Sequence, residues 1–128
     1  MQHNPVGWFE IYVEDMERAR RFYEAMLGIR LEAITPPGAQ DANLEMLAFP
    51  SQRSVSGASG ALVKMPDYLA GAGGTIVYFA CDDCAEQARL AEVHGGQIIK
   101  EKYSIGPYGF AAMVQDTEEN LIGLHSMR

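Results

Sequence analysis

The chain has 128 residues, the length of one ordinary domain. Its hydrophobic share of 48% serves one core but never gathers into the roughly 18 apolar residues that a membrane span needs. The net charge of −7, with ten scattered basic residues, excludes a nucleic-acid surface, because binding phosphates needs clustered Lys and Arg. The opening MQHNPVGWFE has no basic stretch followed by an apolar one, so no secretory signal is read there and a cytoplasmic protein is expected.

Taken in order, Trp8–Val13 is rich in β-branched and aromatic residues and predicts a strand. Asp15 then offers an N-cap, and Met16, Ala19, Phe22, Tyr23, Met26 and Leu27 recur at helical spacing as a stripe for covering a sheet. Arg18, Arg20 and Arg21 sit on this helix among acids and read as a solvated face. Gly28 ends the helix where a left-handed residue is wanted. Ile29–Ile34, Leu44–Phe49 and Gly60–Lys64 follow as strand candidates.

The stretch Met65 to Gly74 reads as a linker. Its Gly71-Ala-Gly-Gly74 lacks the Lys and Ser/Thr of a phosphate-cradling loop. A second strand, Ile76–Cys81, precedes a helix capped by Asp82 or Asp83 and ended by Gly95-Gly96. Gln97–Lys102, Phe110–Gln115 and Leu121–His125 complete the set. Asp15 and Asp83 stand 68 residues apart, as do Gly28 and Gly96, so one βαβββ unit is written twice without a gap between those anchors. The expectation is one domain, 1–128: module one about 6–65, linker about 66–74, module two about 75–128.

Residues 13–28, Val-Glu-Asp-Met-Glu-Arg-Ala-Arg-Arg-Phe-Tyr-Glu-Ala-Met-Leu-Gly, resemble the V-x-D-x-x-x-(A/S)-x-x-F-Y-x-x-x-L-G opening of vicinal-oxygen-chelate proteins, the glyoxalase, bleomycin-resistance and dioxygenase group. Asp116-Thr-Glu-Glu-Asn-Leu-Ile-Gly-Leu resembles their closing D-P-D-G-N-x-I-E-L. The resemblance implies an α+β fold of two βαβββ modules forming a curled mixed sheet around a cavity. It also implies a homodimer, and a metal ligand on the first and last strand of each module. Here those positions hold Trp8, Ile76 and Gly123, while the fourth, somewhere in Ala58 to Val63, offers no His, Glu, Asp or Gln. A divalent site of N/O type takes three or four such ligands. The expectation is therefore no metal at the usual site and no cofactor.

Strand alternation then names the side chains of the cavity face. Trp8 brings Glu10 and Tyr12 with it, Ile76 brings Tyr78 and Ala80, and Gly123 brings Leu121 and His125. Tyr108 and Phe110 form a rim. Trp8, Tyr12, Tyr108, Phe110 and Gly123 are the expected ligand-binding positions. Glu10, His125 and Tyr78 are the expected polar groups for proton chemistry, Glu10 and His125 as an acid–base pair. Each also has a plainer reading: Glu10 as a strand-end ion pair, His125 as an exposed histidine, the aromatics as core.

Cys81-Asp-Asp-Cys84 has the spacing of a redox pair or half a zinc site. No second pair with zinc-ribbon spacing accompanies it, so two small buried hydrophobes are the favoured reading. His94 reads as a helix-end cap, and His3 as part of a frayed terminus. Two functions stand open at this level: a binding module for a small, partly aromatic or carbonyl-containing molecule, and a lyase or isomerase of glyoxalase type using Glu10 and His125, with or without a relocated metal.

Overall fold

A computed structural model describes residues 3–35, 43–68 and 70–128; position 69 of the linker lies outside the described residues. Strands β1 (Val6–Tyr12), β2 (Glu32–Ile34), β3 (Glu45–Ala48), β4 (Ser59–Lys64), β5 (Thr75–Ala80), β6 (Gln97–Ser104), β7 (Phe110–Gln115) and β8 (Leu121–Ser126) alternate with helices α1 (Met16–Leu27) and α2 (Cys84–Val93). A short 3-10 turn, Gly106–Tyr108, precedes β7. The fold is α+β. No helix is long and apolar enough to cross a membrane.

The described residues form two compact units, one of residues 9–35 and 43–75, the other of 3–8 and 76–128. In the first, the strand order is β2-β3-β4-β1. β2 and β3 pair antiparallel, as do β3 and β4, with Ala48 opposite Ala61. In the second, the order is β6-β7-β8-β5, the same arrangement, with β5 and β8 parallel and Tyr78 opposite Gly123.

Each helix begins as its sequence dictates. The Asp15 carboxylate accepts from the Arg18 N–H at 3.0 Å, and Asp83 from the Ala85 N–H at 3.0 Å. These bonds satisfy amides that the first helical turn leaves without a partner. Gly28 closes α1 at φ 67°, in the left-handed region, and donates to the Glu24 carbonyl. Helix α2 ends on His94 at φ −99°, and the positive φ falls one residue later, on Gly95.

The α1 stripe corrects one expectation, because it covers the sheet only in part. Phe22, Met26 and Leu27 are 58%, 55% and 52% exposed, and no α1 residue is buried. The cover comes from Tyr23, whose ring meets Phe49 at 5.8 Å, with Phe9 at 5.4 Å from Phe49 on its other side. A 12-residue helix over short strands touches them along one narrow line, and the stripe is wider than that line. In the second unit Cys84 and Ala88 of α2 do enter a buried cluster with Ala112, Val114 and Leu124.

Candidate functional site

Strand pleating decides which side chains share a face. In the first unit, Phe9, Phe49 and Tyr23 gather on the α1 side, and a Cβ on Gly60 would meet the Phe9 carbonyl and ring. Glu10 and Tyr12 therefore point away from α1. Glu10 is a buried carboxylate, 8% exposed, and the Tyr12 hydroxyl donates to its Oε1 at 2.7 Å. Tyr12 is itself held, with its ring stacked on Tyr68 at 4.9 Å. The structure thus brings two of the sequence-selected residues into direct contact.

In the second unit the α2 side collects Phe79, Cys81, Ile98, Phe110 and Ile122 around the buried cluster. Phe110 belongs to that side because residues 110, 112 and 114 of β7 share a face; its ring also lies 4.6 Å from the Lys102 ammonium. Tyr78 and Gly123 take the opposite face. A Cβ on Gly123 would run into Cδ1 and Cε1 of Tyr78 and sit 2.7 Å from its Cγ, so the phenol ring lies flat against the glycine. His125, two residues along β8, contacts the Tyr108 carbonyl through Nε2. A carbonyl only accepts, so Nε2 carries the proton, and the lone pair of a neutral His125 is on Nδ1. Tyr108 is 55% exposed and Trp8 half-buried.

The repeat identifies the position that the sequence left open. Cys81 N–H donates to the His125 carbonyl at 2.7 Å, and Val13 N–H to the Val63 carbonyl at 2.9 Å. Val13 and Cys81 stand at the repeat offset of 68, so Val63 corresponds to His125. Two residues back on each closing strand, Ala61 corresponds to Gly123, and Glu10 takes the place beside Ala61 that Tyr78 takes beside Gly123. Ala61 was hidden in the sequence because β4 has no closing motif to register it. The Ser59 hydroxyl, on the same face of β4 as Ala61, is buried with no hydrogen-bond partner among the described residues.

Neither unit offers a donor at these positions: Ala61 in the first, and Trp8, Ile76 and Gly123 in the second, have no ligating side-chain atom, and the Tyr78 ring fills the volume into which a longer side chain at 123 would project. Among the described residues, no group of three or more His, Cys, Asp and Glu is placed to hold an ion.

The Cys81–Cys84 pair follows the hydrophobic reading. Cys84 is fully buried, and the Cys81 thiol donates to the Phe79 carbonyl. Burial pushes the Cys81 thiol above its usual value, which disfavours the reactive thiolate. Two open depressions, of about 540 and 350 Å³, lie at the N-terminal end of α1. Glu14 and Asp15 line both, and no sequence-selected site residue lines either.

The model of the glyoxalase/bleomycin resistance protein/dioxygenase superfamily matches residues 6–124. The chain belongs to this family. Among solved structures, methylmalonyl-CoA epimerase from Mycobacterium tuberculosis has a TM-score of 0.68 at 16% identity, covering 97% of this chain and 88% of that one. A hypothetical protein from Bacillus halodurans gives 0.69 at 12% identity, with 96% and 94% covered. A variant of Streptomyces coelicolor methylmalonyl-CoA epimerase, in complex with 2-nitronate-propionyl-CoA, gives 0.67 at 16%, with 96% of each chain covered. These likenesses show the fold of this superfamily member. No curated protein matches the sequence.

Proposed function

We propose that this superfamily member binds a small, partly aromatic or carbonyl-containing molecule without the family's metal. The observation that supports the reading most is the Tyr78 ring seated on Gly123, where an aromatic surface stands in the place of a metal-binding side chain. Small-molecule sites are mostly apolar, with a few placed polar groups. Trp8 and Tyr78 supply the apolar part of this proposal; His125 supplies the polar part, with Tyr108 tied to it through its carbonyl. Phe110, turned to the α2 side, is left out of the set. A homodimer and a cytoplasmic location belong to the same proposal; light scattering of the purified protein checks the first.

Trp8 is the single tryptophan and therefore reports on its own surroundings. Titration with small aromatic ketones and amides is expected to change its emission saturably, and equally with and without a chelator. A response that appears only after a divalent metal is added would contradict the reading.

A second reading, a lyase or isomerase, draws support from Glu10, a buried carboxylate already fixed by a phenol. Such a carboxylate is oriented for proton abstraction next to a carbonyl. In this reading Nδ1 of His125 is the atom able to accept a proton, since Nε2 is committed to Tyr108. Deuterium exchange at the carbon next to a ligand carbonyl, lost in Glu10→Gln, would favour it over simple binding.

A further inference from the structure

We propose that the outer face of α1 is the surface through which two copies of this chain pair, antiparallel, about a twofold axis between Glu17 and Arg18. The inference rests on the homodimer reading above and names the surface that such a dimer uses.

The pattern begins in the sequence. Residues 13–22 read Val-Glu-Asp-Met-Glu-Arg-Ala-Arg-Arg-Phe, with the acids in the first half and the arginines in the second. Laid against its own reverse, the segment sets every acid opposite an arginine: Glu14 meets Arg21, Asp15 meets Arg20 and Glu17 meets Arg18. Val13 then meets Phe22. A twofold axis imposes this reversal, because a residue i that faces j of the second copy requires j to face i.

The structure separates the groups that can reach a second copy from those already engaged. Asp15 caps α1, and Arg20 pairs with Glu24. Glu14, Glu17, Arg18, Arg21 and Phe22 are all exposed. Arg18, Arg21, Phe22 and Ala25 fall at i, i+3, i+4 and i+7, one stripe of the helix. The ion pairs among the described residues use none of Glu14, Glu17, Arg18 and Arg21. Glu14 with Arg21 of the second copy, and Glu17 with its Arg18, each formed twice, therefore carry the charge complementarity.

The apolar part fits the same register. Phe22 turns a ring that is 58% exposed to water. Val13, Ala19 and Phe22 line the depression of about 350 Å³ beside it. With Val13 opposite Phe22, the ring of each copy enters the depression of the other. Two facing helices of 12 residues, each about 18 Å long at 1.5 Å per residue, make a small interface. The association is accordingly weak and sensitive to salt.

Sedimentation equilibrium of the full chain over a micromolar to millimolar series tests this. The unaltered chain is expected to dimerise, less so as salt is raised. Arg21→Glu and Glu14→Arg each set like charges opposite one another, and each is expected to weaken self-association about tenfold or more. Mixed in equal amounts, the two variants present opposite charges at both contacts and are expected to pair with each other at near the unaltered strength. Since this face is exposed in the single chain, each variant is expected to fold as the parent does, which circular dichroism at low concentration checks. If either variant unfolds, Glu17→Arg and Arg18→Glu give the same crossed test at the inner contact. A dimer that forms undiminished in both single variants, or two variants that fail to pair with each other, overturns the surface and leaves the homodimer reading standing. A chain that stays monomeric throughout the series contradicts the homodimer reading, and the surface falls with it.

Discussion

The informative residues are those whose chemistry departs from what their position calls for. Gly123 stands where a carboxylate closes the family motif, and a Cβ at that position would meet the Tyr78 ring, so a side chain there requires the ring to move. Ser59 is the counterpart case: its buried hydroxyl has no partner among the described residues, and an unsatisfied buried donor costs about 1–3 kcal/mol. Ser59→Ala is accordingly expected to leave unfolding free energy unchanged or to raise it by up to about 1 kcal/mol. A clear loss in urea denaturation would mean the hydroxyl has a structural partner. Cys81 gives a second residue-level expectation. With its thiol raised by burial, its alkylation should set in at a higher pH than that of an ordinary exposed thiol, because the thiolate is the reacting form. A midpoint below the usual thiol value would revive the redox reading of the C-x-x-C spacing.

The elements follow local rules closely, and their caps are where single changes act. Gly28→Ala places a Cβ in the left-handed region at φ 67° and should cost about 1–2 kcal/mol from backbone strain alone, since nothing lies within 4 Å of that position. Asp83 caps α2 and also accepts from the Lys102 ammonium at 3.0 Å, and these bonds hold its carboxyl below the usual value, the Lys102 bond being the larger cause. A depressed folded pKa stabilises above the unfolded value near 3.8 and loses that stabilisation as pH falls through the folded one. Asp83→Asn should therefore lower the melting temperature at pH 7 and narrow its gap to the parent protein on titration below pH 4. A gap that widens in acid would contradict this. Asp15, capping α1 through the Arg18 amide, shifts in the same direction, with that backbone bond the first cause. The sequence announced the Asp15 cap and the Gly28 exit, and left the second cap between Asp82 and Asp83. It overstated only the depth of α1, because periodicity reports which residues are apolar and not how wide a sheet lies beneath them. Phe22→Ser should thus cost less than about 1 kcal/mol, where a buried Phe truncated to a small residue costs about 3–5.

At the scale of the molecule, the twofold writing of βαβββ was legible because the Asp and Gly anchors recur at a constant offset of 68. The closing motif near Asp116 was legible for a related reason: its carboxylate accepts from the Glu118 and Asn120 amides and from the Asn120 side chain, a self-contained turn that needs no distant partner. The candidate site was legible only in part. Alternation placed Glu10 with Tyr12, and Tyr78 with Gly123, on common faces. Phe110 went to the other face because the turn before β7 sets its phase, and turn geometry is not written in alternation. Ala61 emerged only from hydrogen bonds shared between the repeats. The close approach of the Tyr78 ring to Gly123 is a packing fact that no spacing encodes.

Whether this superfamily member works without the family's metal is tested most directly by the metal content of the untagged protein. Elemental analysis after soaking with nickel, zinc, iron and manganese, followed by exhaustive dialysis, is expected to find far less than one ion per chain. One tightly held ion per chain would contradict the assignment of Trp8, Ala61, Ile76 and Gly123 to the four positions, and would move the chemistry to a relocated centre involving Glu10 or His125.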